Sequence, residues 1–439
     1  MQVGEVVELT LDGLSARGDG TGPLDGREVH VAGAFPTERV RARVEAISRQ
    51  HARAFASLEA VLTAHAARRE PPCPRHAVRG GACTGCPLMA VELDAQRAMK
   101  RERARALGLP VEGALAGAGA LGYRWSSKRV AGGRAGALTL GSYVRGTHEV
   151  ADMRGCLVDH PRITEVADAI ADAASALGVP PYREGRGDLR YVWLKTDGAR
   201  VLATLVTAKE ESEAPAIARR LESVAAFAWS VQPSSGNAIR GDAPRALAGE
   251  PWLDVAIGGR ASRVGPLGFL QPSPAVAAMA YDALLGDARG APYAGRLAFD
   301  LYAGAGVTTA RLRERFAEVV PCEAFPESAA ALGVAPEDAA TFVARQLGRE
   351  VDLVVANPPR AGLGADVVAG LARLAPAHLA IMSCEPASLA RDLDALTATF
   401  VLERVQAFDT LPQTPHLELV AHLSRRDPHA RLAARRSDE

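Results

Sequence analysis

Asp300-Leu301-Tyr302-Ala303-Gly304-Ala305-Gly306 closes an apolar run that begins at Arg296 and opens a helical pattern from Thr308 to Arg315. Gly304 and Gly306 let the chain turn sharply at the carboxyl end of a strand and approach a ligand closely, the usual binding position in an open α/β sheet. Glu323 ends the next strand, Glu318 to Cys322, about 20 residues on, where an acid commonly accepts hydrogen bonds from ribose hydroxyls. Dinucleotide turns carry a third glycine that leaves room for a pyrophosphate, and here Thr309 stands at that position. The pattern suits a nucleoside ligand without a pyrophosphate, such as S-adenosylmethionine. Taken alone, it also suits any tight strand-to-helix turn.

Outward from this turn the signals alternate regularly. Strand 351–356, helix 366–374, strand 379–382 and helix 387–396 imply a parallel sheet with right-handed crossovers. Two last strands, 400–408 and 416–423, follow without a helix between them and are expected to pair antiparallel at the sheet edge. The fold class is α/β, with a Rossmann-like sheet over 291–424 and a charged tail over 425–439. At the other end, Val6-Val7-Glu8-Leu9 and Val40-Arg41-Ala42-Arg43-Val44 alternate with period two between Asp-Gly turns, which reads as an OB-like β-barrel over 1–63. Residues 64–290 are expected to form a central α+β domain, with a helix from Leu88 to Leu107 and a Gly/Ala-rich linker from Gly113 to Gly122.

The charges cancel, 51 Lys plus Arg against 51 Asp plus Glu, so no overall field attracts a polyanion and any such site is a local patch. The candidates are Arg97, Lys100, Arg101, Arg103 and Arg105 on the expected helix, then Arg124, Lys128, Arg129 and the barrel. Neither an export signal nor a membrane-spanning run is evident, so the expectation is a cytoplasmic monomer with no membrane partner. In that compartment the six cysteines read as thiols, ligands or a nucleophile. Cys73, Cys83, Cys86 and the distant Cys156 have a Cys-x2-Cys pair plus two more thiols, a set that suits zinc or an iron–sulfur cluster equally. Cys322 reads as a core residue.

Two further motifs stand at strand ends. Asn357-Pro358-Pro359-Arg360 holds a polar side chain at the lip of the ligand crevice. Ile381-Met382-Ser383-Cys384-Glu385-Pro386 places a thiol before a helix start, where the helix N-terminus favours thiolate. A carboxylate, Glu418, follows in Thr414-Pro415-His416-Leu417-Glu418.

In this order, together with Phe269-Leu270-Gln271-Pro272, Leu389-Ala390-Arg391-Asp392 and Leu411-Pro412-Gln413, these motifs resemble those of the RNA uracil-5 methyltransferases. The resemblance spans nearly the whole chain, the barrel being similar to a TRAM domain and the sheet to a class I methyltransferase. It implies Cys384 as nucleophile, Glu418 as proton acceptor, and Gln271, Tyr302, Gly304, Glu323, Asp338 (as a third-strand acid) and Asn357 around S-adenosylmethionine. It further implies a [4Fe–4S] cluster on Cys73, Cys83, Cys86 and Cys156, and an RNA substrate, ribosomal ahead of transfer RNA. The chain departs from the family at Asn357, commonly Asp, at Glu385, commonly Asn, and at Val307 and Ser273. The segment from Glu323 to Asp338 is also short for a helix plus a strand. Two other readings remain open: an amino-group methyltransferase that uses Asn357-Pro358-Pro359, and a catalytically impaired RNA-binding protein carrying the cluster.

Overall fold

The computed structural model describes residues 1–427 except Ala114, Asn237 and Ala305, so most of the tail expected over 425–439 lies outside the described residues. The chain forms two compact units. The first holds Met1–Met99, Ala118–Pro274 and Leu411–Pro415, and the second holds Lys100–Gly117, Ala275–Thr410 and the residues from His416 on.

In the first unit, six strands pair in the spatial order Val6–Thr10, Arg39–Ile47, Arg53–Thr63, Arg27–Ala32, Gly20–Leu24, Gly13–Leu14. The sheet curls, and Val6–Thr10 comes back into contact with Gly20–Leu24. Val7 and Leu9 pair with Ala42 and Val40, and the two-residue alternation turns all four into one core. The intervening arginines point outward and are paired: Arg39 and Arg41 grip Glu8, and Arg43 grips Glu59. A second, seven-stranded sheet runs Val150–Asp152, Ala137–Tyr143, Ser126–Arg134, Leu189–Thr196, Val201–Thr207, Ala226–Val231, Arg245–Ala248. The helices Pro161–Ala176 and Ala214–Leu221 contribute Ile163, Val166, Ile170 and Ile217 to its core, as an α+β arrangement requires.

The second unit carries the regular alternation. Helix α1 (Leu93–Ala106) enters it at Lys100. The sheet is built from β1 (Gly295–Leu301), β2 (Phe316–Cys322), β3 (Leu353–Ala356), β4 (His378–Ser383), β5 (Phe400–Asp409) and β6 (Glu418–Arg425). Its order is β2-β1-β3-β4-β6-β5, and Ala116–Gly117 adds a short parallel strand beside β5. Part of the stretch expected to be a linker is therefore sheet. β1 to β4 are parallel, and β6 runs antiparallel to both β4 and β5. Helices α2 (Val307–Leu312), α3 (Pro326–Leu332), α4 (Ala339–Arg345), α5 (Ala365–Leu374) and α6 (Pro386–Leu396) complete the unit.

One expectation is corrected here. No strand forms between Glu323 and Asp338: α3 leads directly to Asp338, which caps α4 by accepting from the backbone N–H groups of Ala340 and Thr341. Asp338 is thus not a third-strand acid. The segment is too short to hold both a helix and a paired strand. What remains of such pairing is a single backbone bond, Glu337 N–H to Glu323 O, at 2.9 Å.

Candidate active site

The turn after β1 explains its own sequence. Tyr302 stands at φ 59°, Gly304 at 56° and Gly306 at 77°, so three of five residues lie in the left-handed region that glycine tolerates best. A Cβ on Gly306 would sit 2.6 Å from Leu332 Cδ2 on α3, so the position has no room for one. Asp300 is fully enclosed at the end of β1, and its carboxylate accepts from the Thr308 and Thr309 hydroxyls at 2.6 and 2.5 Å. Burial pushes Asp300 up to about 6 despite those bonds. Thr309 therefore ties the first turn of α2 to β1, where a dinucleotide turn would hold its third glycine.

Glu323, just past β2, accepts from Gly304 N–H at 2.8 Å and from Phe325 N–H at 2.7 Å. The acid thereby holds the glycine turn in place and keeps further lone pairs for a ligand. Asn357 follows β3, and its N–H bonds to Leu301 O, which sets it beside the same turn. The Tyr302 hydroxyl donates to Leu363 O at 3.3 Å. Tyr302, Gly304, Glu323 and Asn357 thus converge on the carboxyl ends of β1, β2 and β3, and Asp338 is near enough to act electrostatically on Tyr302. Gln271 belongs to the first unit, 7% exposed beside the 61% exposed Phe269.

The sheet also joins the thiol to the distant carboxylate. In the β4–β6 ladder Ser383 pairs with Leu419, so Cys384 and Glu418 are the next positions across from each other. Facing residues of an antiparallel pair stand about 5 Å apart at Cβ. Glu418 is also partnered by Phe408 of β5, which encloses it between two strands. Burial pushes the Glu418 carboxyl up to about 8. Cys384, half-buried, is pushed up by burial and by the Glu418 charge, and pulled down by the Arg360 guanidinium through its charge and a hydrogen bond.

The motifs around the thiol brace that geometry. Pro386 starts α6 directly after Glu385, and the Ser383 hydroxyl accepts from Glu385 N–H at 3.3 Å. Ser388 donates to Arg360 O at 2.8 Å, and Asp392 accepts from Leu363 N–H at 2.7 Å. Helix α6 therefore fixes the loop that carries Arg360, which accounts for Leu389-Ala390-Arg391-Asp392. The sequence gives no sign of the parts played by Arg360 and Asp300, because a guanidinium aimed at a thiol and a carboxylate aimed at two hydroxyls are visible only once the loops are placed.

The basic residues of α1 have partners within the fold. Arg97 donates to Ala118 O, Arg101 to Gly113 O and Arg105 to Val111 O, while Lys100 and Arg103 pair with Asp409 and Glu385.

In the first unit, Cys73, Cys86 and Cys156 pack around Met89, Tyr123, Val158 and Leu411. His76 reaches Cys86 O through Nε2 at 3.0 Å, and Cys83 N–H donates to Arg75 O. Burial pushes Cys86 up, and Cys73, Cys83 and Cys156 each add to that, so all four sulfurs share one neighbourhood. Among the described residues, however, no three His, Cys, Asp or Glu side chains close around a point that a single metal ion could occupy. Nor is any helix among them long and apolar enough to cross a membrane.

The strand order, the glycine turn, and a carboxylate at the end of β1 with another just past β2 define a class I methyltransferase fold. Residues 347–426, which contain Asn357, Cys384 and Glu418, match the family model for tRNA (uracil-5-)-methyltransferase. An uncharacterized RNA methyltransferase of Geobacter sulfurreducens is 32% identical over 97% of this chain and 91% of its own length. Another, from Gloeobacter violaceus, is 30% identical over 96% of this chain and 97% of its own. The Pyrococcus abyssi tRNA (uracil-54, C5)-methyltransferase, solved with S-adenosyl-L-homocysteine, superimposes with a TM-score of 0.74 over 95% of this chain and 99% of its own; at 20% identity it establishes the fold. The chain belongs to the RNA uracil-5 methyltransferase family, and so is an S-adenosylmethionine-dependent RNA methyltransferase.

Proposed function

We propose that the protein methylates carbon-5 of a uridine in RNA through a transient bond between Cys384 and carbon-6 of the ring. The observation that carries this is the end of the β4–β6 ladder, where Ser383 pairs with Leu419 and leaves Cys384 and Glu418 as the next facing positions, with the Glu418 charge acting on the thiol. Bound S-adenosylmethionine supplies an electrophilic methyl group on sulfur. Carbon-5 of uracil is too weak a nucleophile to take that methyl unaided. The Cys384 thiolate adds to carbon-6 and makes an enolate whose carbon-5 takes the methyl as its bond to sulfur breaks and S-adenosylhomocysteine leaves. Glu418 then takes the carbon-5 proton, the double bond reforms and the thiolate leaves. A carboxyl at about 8 suits this task, since a general base works best near the ambient pH. Arg360 favours the thiolate form of Cys384.

The donor is held by Tyr302, Gly304, Glu323 and Asn357, with Asp338 as a further contact. Asn357 contributes hydrogen bonds without the charge of the family's Asp. The uridine must leave its stack to reach Cys384, and the substrate is ribosomal RNA. The curled N-terminal sheet, as a TRAM domain, assists in holding it.

The four gathered thiols suit a [4Fe–4S] cluster on Cys73, Cys83, Cys86 and Cys156. A single zinc ion needs its sulfurs about 2.3 Å from one centre, whereas a cubane accepts four that stand further apart. Such a cluster would clamp the loop of the first three cysteines to the segment bearing Cys156. Iron and sulfide analysis of anaerobically purified protein checks it.

The reaction itself is tested with RNA tritiated at carbon-5 of uridine. Tritium release equal to methyl incorporation is expected. Methylation without release moves the methyl to an amino group or a ribose and overturns the proposal.

A further inference from the structure

Glu385 is the chain's most unusual residue near the nucleophile, since a carboxylate one residue from a thiolate opposes its formation. The structure supplies a cation for it. Arg103 Nη2 stands 3.4 Å from Glu385 Oε1, with Arg103 only 10% and Glu385 27% exposed. Three residues earlier on α1, and therefore on the same helix face, Lys100 meets Asp409 at 2.6 Å with both side chains fully buried. Asp409 ends β5 one residue beyond Phe408, the ladder partner of Glu418. One face of α1 thus grips the turn that carries Cys384 and the strand end beside Glu418.

We propose that Arg103 is a positioning residue for the reaction: with Lys100 it braces the nucleophile's turn against the base's strand, and it cancels the Glu385 charge that would otherwise hold Cys384 protonated. This rests on the reading of Cys384 as the nucleophile. The charged groups that act on Cys384 are Glu418 from β6 and Arg360 from the loop after β3; Glu385, next in the chain, turns its carboxylate to Arg103 of α1. Glu385 and Arg103 form a matched pair where the family commonly places a neutral Asn, and the two positions are 282 residues apart in sequence.

The test is the rate of covalent trapping by RNA containing 5-fluorouridine, with S-adenosylmethionine, from about pH 6 to 9.5. The proteins compared are the unaltered chain, Arg103→Met, Arg103→Lys, Glu385→Gln and the double variant Arg103→Met/Glu385→Gln, each checked for folding by circular dichroism. Arg103→Met is expected to slow trapping about tenfold near neutrality, the effect of one unit on thiolate population, and to move the rising limb to higher pH. Arg103→Lys, which keeps the charge, brings back both rate and limb, and the double variant, which balances the charge without the brace, brings back the limb alone. Glu385→Gln alone does not move the limb upward. A limb that stays in place in Arg103→Met, or one displaced equally in the single and double variants, reduces Arg103 to packing and overturns the proposal. Cys384→Ala is run in parallel: if it still traps RNA, the nucleophile reading fails, whereas if it alone loses trapping, only the brace does.

Discussion

The two flanks of the second unit's sheet are built differently. On the flank of β1 and β2, a short turn, Glu323 and a truncated connection make a lip from residues close in sequence. No strand follows β2 outward among the described residues, and Asp338 stands exposed at a helix start. On the flank of β4, β6 and β5, the functional groups come from distant segments and are enclosed: Glu418 between two strands, Lys100 against Asp409, Arg103 against Glu385. Donor binding on the trimmed flank is expected to survive the loss of one contact, because a ligand with many contacts loses little from one. The chemical step depends on two protonation states, and those are set by burial and long-range partners.

The contrast can be broken by perturbing each flank in turn. Glu418→Gln should cost most, about 10²- to 10⁴-fold in turnover, the usual worth of a positioned base. Methyl transfer to carbon-5 still occurs in this variant, so a stalled methylated adduct should accumulate on gels with ordinary RNA. The same substitution should alter stability in a defined direction. The folded-state carboxyl titrates near 8 against an ordinary 4.5, so the native state binds more protons than the unfolded one in that window. Stability of the unaltered protein therefore falls as pH rises from about 4.5 to 8 through this group, and Glu418→Gln removes that slope. Thermal midpoints across that range check the sign; an unchanged slope means Glu418 is not buried as described.

Arg360→Met comes next. Removing the guanidinium takes away the influence that holds the thiol down, so the alkaline-rising limb of trapping moves to higher pH. Gly306→Ala imposes a left-handed Cβ worth about 1–2 kcal/mol plus a contact with Leu332, readable as a lowered thermal midpoint and weakened S-adenosylhomocysteine binding. Asp338→Asn should have the smallest effect and weaken that binding less than Glu323→Gln does. A larger loss at Asp338 would mean that the trimmed flank carries more of the donor than its exposure suggests.

The sequence made the alternation from Arg296 legible because buried parallel strands and their helices keep strict apolar periods. Cys384 and Glu418 were also legible, each standing at a strand end inside a distinctive motif. The missing third strand was foreshadowed only by the short spacing between Glu323 and Asp338. The basic residues of α1 could not be assigned from sequence, because a guanidinium looks the same there whether it faces water, an RNA phosphate or a carbonyl across a fold. Lys100 and Asp409 lie 309 residues apart, and no local pattern links them. Arg103 had one indirect signal, the carboxylate at 385, which requires a nearby cation if the adjacent thiol is to ionise.

The covalent chemistry stands or falls on which sulfur meets the ring. With 5-fluorouridine RNA and S-adenosylmethionine, digestion of the trapped complex and mass analysis should find the nucleotide on the peptide containing Cys384, and Cys384→Ala should yield no complex. A complex attached to any other cysteine, or an unimpaired Cys384→Ala enzyme, would contradict it.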